Sequence, residues 1–149
     1  REIIKGTICM ELSELFKALS DPTRLLILRL MIEEQQSLCV CEIVTILGIP
    51  QYQVSRHLSV LKQAGLVQFQ KIGTWAYHYF NDSTPINQML AELLRKAMPV
   101  EKYQTQFNRL RDRLALRFNG KCVVGFEEEK GTAGIKKPAR KSVMPHHKI

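Results

Sequence analysis

The sequence predicts a mainly α-helical chain with one small β-hairpin, a winged helix-turn-helix whose flanking helices form a dimer. Three observations predict it. Two short amphipathic segments meet at Gly48-Ile49-Pro50, two β-rich runs flank Gly73, and long apolar stripes continue beyond this compact unit.

Met10, Leu12, Leu15, Phe16 and Leu19 recur at near-helical spacing and place a first helix at about Thr7 to Leu19. Asp21-Pro22 has the form of an N-cap followed by proline at the first helical position. The helix it opens, to about Glu34, is apolar on most of its circumference and belongs at the centre of the fold. Glu33 to Ser37 is a polar connection. A short helix from about Cys41 to Leu47 ends at Gly48, the residue type that leaves a helix through the left-handed region. After Pro50, Gln51 to Ala64 form the second helix of the motif, with Val54, Leu58 and Leu61 on its inner stripe. Leu66 to Lys71 and Thr74 to Phe80 read as the hairpin, or wing. Pro85 to Met98 and Val100 to Phe118 read as two further helices separated by Pro99. Their apolar residues, among them Ile86, Met89, Leu90, Leu93 and Leu94, repeat at spacings of three and four. Such stripes require a partner surface, and a second copy of the chain supplies it. These elements make one unit over residues 1–118, followed by a basic tail, 119–149, expected to be disordered.

The formal charge of +8 invites a polyanionic partner, and its distribution says where. After Asn119 there are seven Lys/Arg against three Glu; before it, fifteen against eleven. No Asp or Glu occurs between Glu42 and Asp82, whereas Arg56, His57, Lys62, Lys71 and His78 do. A surface without carboxylates suits phosphate contact. Helical steps of about 100° turn Tyr52, Arg56, Ser59 and Gln63 away from the inner stripe, with Gln53, Ser55 and Lys62 beside them. The candidate DNA-contacting set is Gln51, Tyr52, Gln53, Ser55, Arg56, His57, Ser59, Lys62 and, from the wing, Lys71. Arg56 is the best placed, since arginine is the commonest reader of guanine. His57 lies nearer the stripe and is open to packing as much as to DNA. Trp75 and Tyr77 are equally open to hairpin packing or phosphate contact.

No apolar run approaches the ~20 residues needed to span a bilayer, and the first ten residues lack the apolar core of a signal peptide. The expected location is the cytoplasm, with no membrane partner. Four cysteines, Cys9, Cys39, Cys41 and Cys122, are too few and too irregular for a disulfide framework; the close pair reads as a ligand or redox site. An enzyme built on a reactive cysteine is disfavoured, because there is no Cys-x-x-Cys, no phosphate-cradling loop and no acid/base constellation.

Five elements in this order resemble one family. They are Leu19-Ser20-Asp21-Pro22-Thr23-Arg24, Leu38-Cys39-Val40-Cys41-Glu42-Ile43, Val54-Ser55-Arg56-His57-Leu58, Leu61-Lys62-Gln63-Ala64-Gly65-Leu66-Val67, and the wing from Lys71 to Phe80. Over Phe16 to Phe80 the chain is similar to the ArsR/SmtB metal-sensing repressors. The resemblance implies a homodimer on a palindromic double-stranded operator, released when an inducer ion binds. Members with Cys-Val-Cys at this point are similar to arsenic and antimony sensors, or to cadmium and lead sensors when N-terminal cysteines are added. The expected inducer is therefore As(III) or Sb(III), with Cd(II) or Pb(II) as the alternative, and no permanent cofactor is expected. In the arsenic pattern a third cysteine follows three residues after the second; here that position is Val44. Cys9 is the nearest replacement, so the expected ligands are Cys39, Cys41 and Cys9. Between Asp82 and Phe118 there is no histidine, which removes the family's zinc site on the last helix.

Soft thiolates select soft ions, and a helix N-terminus favours the thiolate. Against this, Cys39 and Cys41 are also consistent with two small buried residues, or with a pair that forms a disulfide in a redox-sensing repressor. Cys9 reads equally as third ligand or as an ordinary residue, and Cys122, adjoining the tail, reads as incidental. His146-His147 is a weak adventitious metal site, and Glu127 to Glu129 and Lys136 to Lys141 read as solvated charge. In a regular helix, residues two apart point about 200° away from each other. Convergence of Cys39 and Cys41 on one ion thus predicts that their turn is non-helical or unwinds, which would be the switch.

Overall fold

The computed structural model describes residues 2–123 and 125, with side chains from Glu11 onward. The side chain of Cys9, the acidic run from Glu127, the basic run from Lys136 and His146-His147 lie outside the described residues.

Helix α1 spans Glu2–Leu19, starting earlier than the apolar spacing predicted. Helix α2, Pro22–Glu34, opens as expected: the Asp21 carboxylate accepts from the Arg24 amide at 3.0 Å, with Pro22 in the first turn. Its Ile27, Leu28, Leu30, Met31 and Ile32 are buried, so α2 is the central helix. A two-residue strand β1, Leu38–Cys39, then leads directly into α3, Val40–Leu47. Two residues are too few to show a periodicity, and the sequence reading had only a polar connection followed by a helix. Gly48 takes φ 66 at the end of α3, and Pro50 precedes α4, Gln51–Gln63. Strands β2, Val67–Ile72, and β3, Trp75–Phe80, pair antiparallel around Gly73 at φ 62, with Ile72 opposite Trp75. β1 adds to the free side of β3, giving the order β1-β3-β2. The helix pair and the hairpin together make a winged helix-turn-helix.

Helix α5, Pro85–Ala97, is capped by Thr84, whose hydroxyl accepts from the Asn87 amide at 3.1 Å. The stripe predicted on this helix divides in two. Leu90, Ala91 and Leu94 are buried in the protomer's own core, whereas Ile86, Met89 and Leu93 are 57%, 69% and 59% exposed. The next predicted helix, Val100 to Phe118, is instead a 3-10 turn, Val100–Tyr103, followed by α6, Gln104–Ala115. Pro99 imposes extended backbone before the turn.

Beyond α6 the chain reverses. Phe118 and Lys121 exchange both backbone hydrogen bonds at 3.0 Å, while Asn119 and Gly120 take φ 51 and φ 72. Asn-Gly is the dipeptide best suited to two consecutive left-handed residues in a tight turn. A boundary at residue 118, with everything after it a tail, therefore does not describe 119–123: this turn returns Cys122 to the domain, where it is 5% exposed. Among the described residues no helix is long and apolar enough to cross a membrane.

Candidate thiol site and nucleic-acid interface

Cys39 is the N-cap of α3, in extended conformation (φ −83, ψ 160), and Cys41 stands in the helix's first turn. The half-circle separation of residues two apart in a helix does not apply across this boundary. The two sulfurs lie 2.9 Å apart with α3 intact. Of the two alternatives, a turn that is non-helical and one that unwinds, the structure has the first, so convergence of the pair does not require α3 to distort. The third sulfur in the cluster is that of Cys122, 3.5 Å from Cys41 and 81 residues away in sequence. The residue read as incidental thus joins the site.

All three sulfurs lie within 4.8 Å of one another and all three residues are buried. For metal–sulfur bonds near 2.3 Å, sulfurs on one ion stand roughly 3.7 Å apart. Cys41 and Cys122 already stand close to that spacing, and Cys39 and Cys41 reach it by opening by less than about 1 Å. Three soft donors without a hard oxygen among them suit a soft ion. Hydrogen bonds from the Cys122 and Cys39 thiols pull the Cys41 thiol far below the ordinary range, and the buried Arg113 guanidinium adds to this against the cost of burial. Cys39 moves in the opposite direction, raised by its thiol hydrogen bonds to Cys122 and Cys41 and by burial. The shared thiol hydrogen bonds thus favour the thiolate at Cys41 over Cys39.

The surrounding shell fixes these positions. Glu42, 1% exposed, accepts from the Cys39 amide at 2.9 Å. Arg117 meets the same carboxylate with two bonds of 2.7 Å, and also donates to the Ser37 carbonyl at 2.6 Å. From α6, Arg109 donates to the Ile46 carbonyl at 3.3 Å, so residues in and after α6 grip α3 at both ends. The amide of Cys122 donates to the Tyr77 hydroxyl at 2.9 Å, and Trp75 packs against the cluster. Both aromatics thus belong to the packing of the site. Sequence reasoning missed Cys122, Glu42, Arg113 and Arg117; the Asn119-Gly120 turn was the local signal for the first of them.

On α4, Gln51, Tyr52, Ser55, Arg56 and Ser59 are exposed, while Gln53, His57 and Lys62 are half-buried. His57 has its Nδ1 3.5 Å from Arg24, which also donates to the Ala18 and Lys17 carbonyls at the end of α1. Burial is the main cause holding His57 below the usual histidine range, with Arg24 and Arg56 adding to it against Asp21. Lys62 stands 4.9 Å over the ring of Phe69 on β2, linking α4 to the wing, and Lys71 is exposed near the wing's tip.

Comparison with known proteins agrees with this architecture. The family described as "Bacterial regulatory protein, arsR family" matches residues 21–68. An uncharacterized HTH-type transcriptional regulator of Methanocaldococcus jannaschii is 50% identical over 70 residues, 47% of this chain and 78% of the relative. The arsenical resistance operon repressor of Escherichia coli is 36% identical over 93 residues, 62% of this chain and 77% of the relative. Among solved structures, the homodimeric winged helix-turn-helix domain of a possible ArsR-family transcriptional regulator from Mycobacterium bovis is 27% identical. It superimposes with a TM-score of 0.55 over 64% of this chain and 85% of that one.

Proposed function

From the premise that the chain belongs to the arsR family of bacterial regulatory proteins, we propose a homodimeric repressor released from DNA when As(III) or Sb(III) binds Cys39, Cys41 and Cys122. The observation that carries the reading is the buried triangle of three sulfurs at the start of the helix-turn-helix. The ligand set differs from the expected one in its third member, Cys122 in place of Cys9. A trivalent ion on three thiolates is neutral overall, and a buried site favours a neutral complex; a divalent ion on the same thiolates keeps one negative charge. This supports As(III) or Sb(III) over Cd(II) or Pb(II).

The DNA-contacting residues in this reading are Gln51, Tyr52, Gln53, Ser55, Arg56, Ser59, Lys62 and Lys71, with His57 turned toward packing against Arg24. Two copies joined through the exposed faces of α1 and α5 present two such helices, which suits a palindromic duplex. The test uses a duplex selected by the protein from a random-sequence pool, followed by fluorescence anisotropy. Arsenite is expected to release the wild type. Cys39→Ser, Cys41→Ser and Cys122→Ser are each expected to bind the duplex and to ignore arsenite, since a hard oxygen is a poor ligand for a soft ion. Parallel titrations with Cd(II), Pb(II) and hydrogen peroxide separate the divalent and redox alternatives. Release of all three serine variants at the wild-type arsenite concentration would remove the thiol site from the mechanism.

A further inference from the structure

The three sulfurs are not attached to the fold independently. Cys41 belongs to α3. Cys39 belongs to β1, where its ladder partner on β3 is Tyr77. Cys122 belongs to the segment returning after α6, and its amide donates to the hydroxyl of that same Tyr77 at 2.9 Å. One wing residue therefore meets two of the three sulfur-bearing residues, one by backbone register and one by its side chain. Tyr77 is 5% exposed, with the Arg117 guanidinium 5.6 Å over its ring. On its other side, Tyr77 stands opposite Gln70 of β2, next to exposed Lys71 opposite Ala76.

We propose that Tyr77 is a positioning residue that passes occupancy of the thiol site to the wing, and through the wing to DNA. The inference rests on the thiol-sensor reading and adds its route. A shared ion requires Cys39 and Cys41 to open, which shifts the start of α3 against β1, and Cys122 must follow Cys41 to keep the third bond. While the hydroxyl holds Cys122, the displacement is transmitted to β3 and the β2 residues paired with it. With that bond removed, the Cys122 segment can yield alone, and the ion can be accommodated with the wing at rest. An effector shifts an equilibrium only by its differential affinity for the two states, and the tether supplies part of that difference.

The experiment compares the full-length wild type with Tyr77→Phe, which keeps the ring and removes the hydroxyl. Arsenite affinity is read from Trp75 fluorescence, Trp75 being the chain's single tryptophan, for free protein and for protein on the selected duplex. Duplex affinity without arsenite is measured for both proteins, so that the comparison rests on the ratio of arsenite affinities in each. In the variant, the ratio of free to DNA-bound arsenite affinity is expected to fall about five- to tenfold, the equivalent of one net hydrogen bond. Amide exchange over residues 67–80 is expected to change on arsenite addition in the wild type and to change less in the variant. An unaltered ratio in Tyr77→Phe overturns the inference and leaves the sensor reading standing. If the variant does not fold, unchanged exchange over 67–80 in the arsenite-bound wild type overturns it equally. Wild type that binds arsenite without leaving DNA overturns the sensor reading, and the inference with it.

Discussion

At the scale of single residues, the Glu42–Arg117 pair is the most consequential contact outside the thiols. Both side chains are nearly sealed, at 1% and 9% exposure, and the carboxylate also caps the amide of Cys39. Removing one partner leaves the other charge buried without compensation, which costs about 3 to 5 kcal/mol. Arg117→Ala is expected to lower stability in urea by that order, and a loss under about 1 kcal/mol would mean that water replaces the guanidinium. His78, 5% exposed, has an Nδ1 without a hydrogen-bond partner. Burial first, and then Lys62, depress its folded pKa below the unfolded value. Its contribution to stability is therefore complete above the unfolded pKa, about 6.5, and is lost as pH falls below it. His78→Gln is expected to shrink the drop in urea midpoint between neutral and mildly acidic buffer; an unchanged pH dependence would assign the drop to other groups.

At the scale of elements, the division of α5 decides which substitutions report on assembly. Leu90 is a core residue, so a charge there unfolds the protomer and says nothing of dimerisation. Met89 and Leu93, together with Phe16 on α1 at 62% exposure, are the outward residues. The double variant Met89→Glu, Leu93→Glu is expected to keep its helical circular dichroism and to sediment as a monomer with weakened duplex binding. Sedimentation as a dimer would place the interface elsewhere. On α4, Arg56→Ala is expected to weaken duplex binding by about 1 to 3 kcal/mol while leaving the arsenite response of Trp75 intact. Anisotropy with unchanged affinity at moderate salt would show that this face of α4 does not read DNA.

At the scale of the whole molecule, the thiol site is a junction of three segments: the start of α3, the wing strand β3 and the turn after α6. A chain ending at Asn119 retains every buried residue of the winged unit but lacks Cys122. It is expected to bind the selected duplex normally, with Trp75 no longer reporting arsenite in the concentration range effective on the full chain. Full retention of that response would assign the third ligand to another residue, with Cys9 the first to test.

The sequence by itself determined helices α2 to α5, the wing and the pair Cys39 and Cys41, because those signals are local. Asp21-Pro22, Gly48-Ile49-Pro50 and the 3–4 apolar spacing each act within a few residues of where they are read. The Asn119-Gly120 turn was equally local and went unread. Tertiary structure alone decided the rest. Whether an apolar residue on α5 faces the core or outward depends on where α2 lies against it. That Cys39 meets Cys41 without unwinding depends on β1, a strand of two residues that exists only because β3 is there to pair with it. That Cys122 joins them depends on contacts spanning 81 residues. Periodicity reports which side of an element is apolar; only packing settles what that side touches, and the thiol site is made of such contacts.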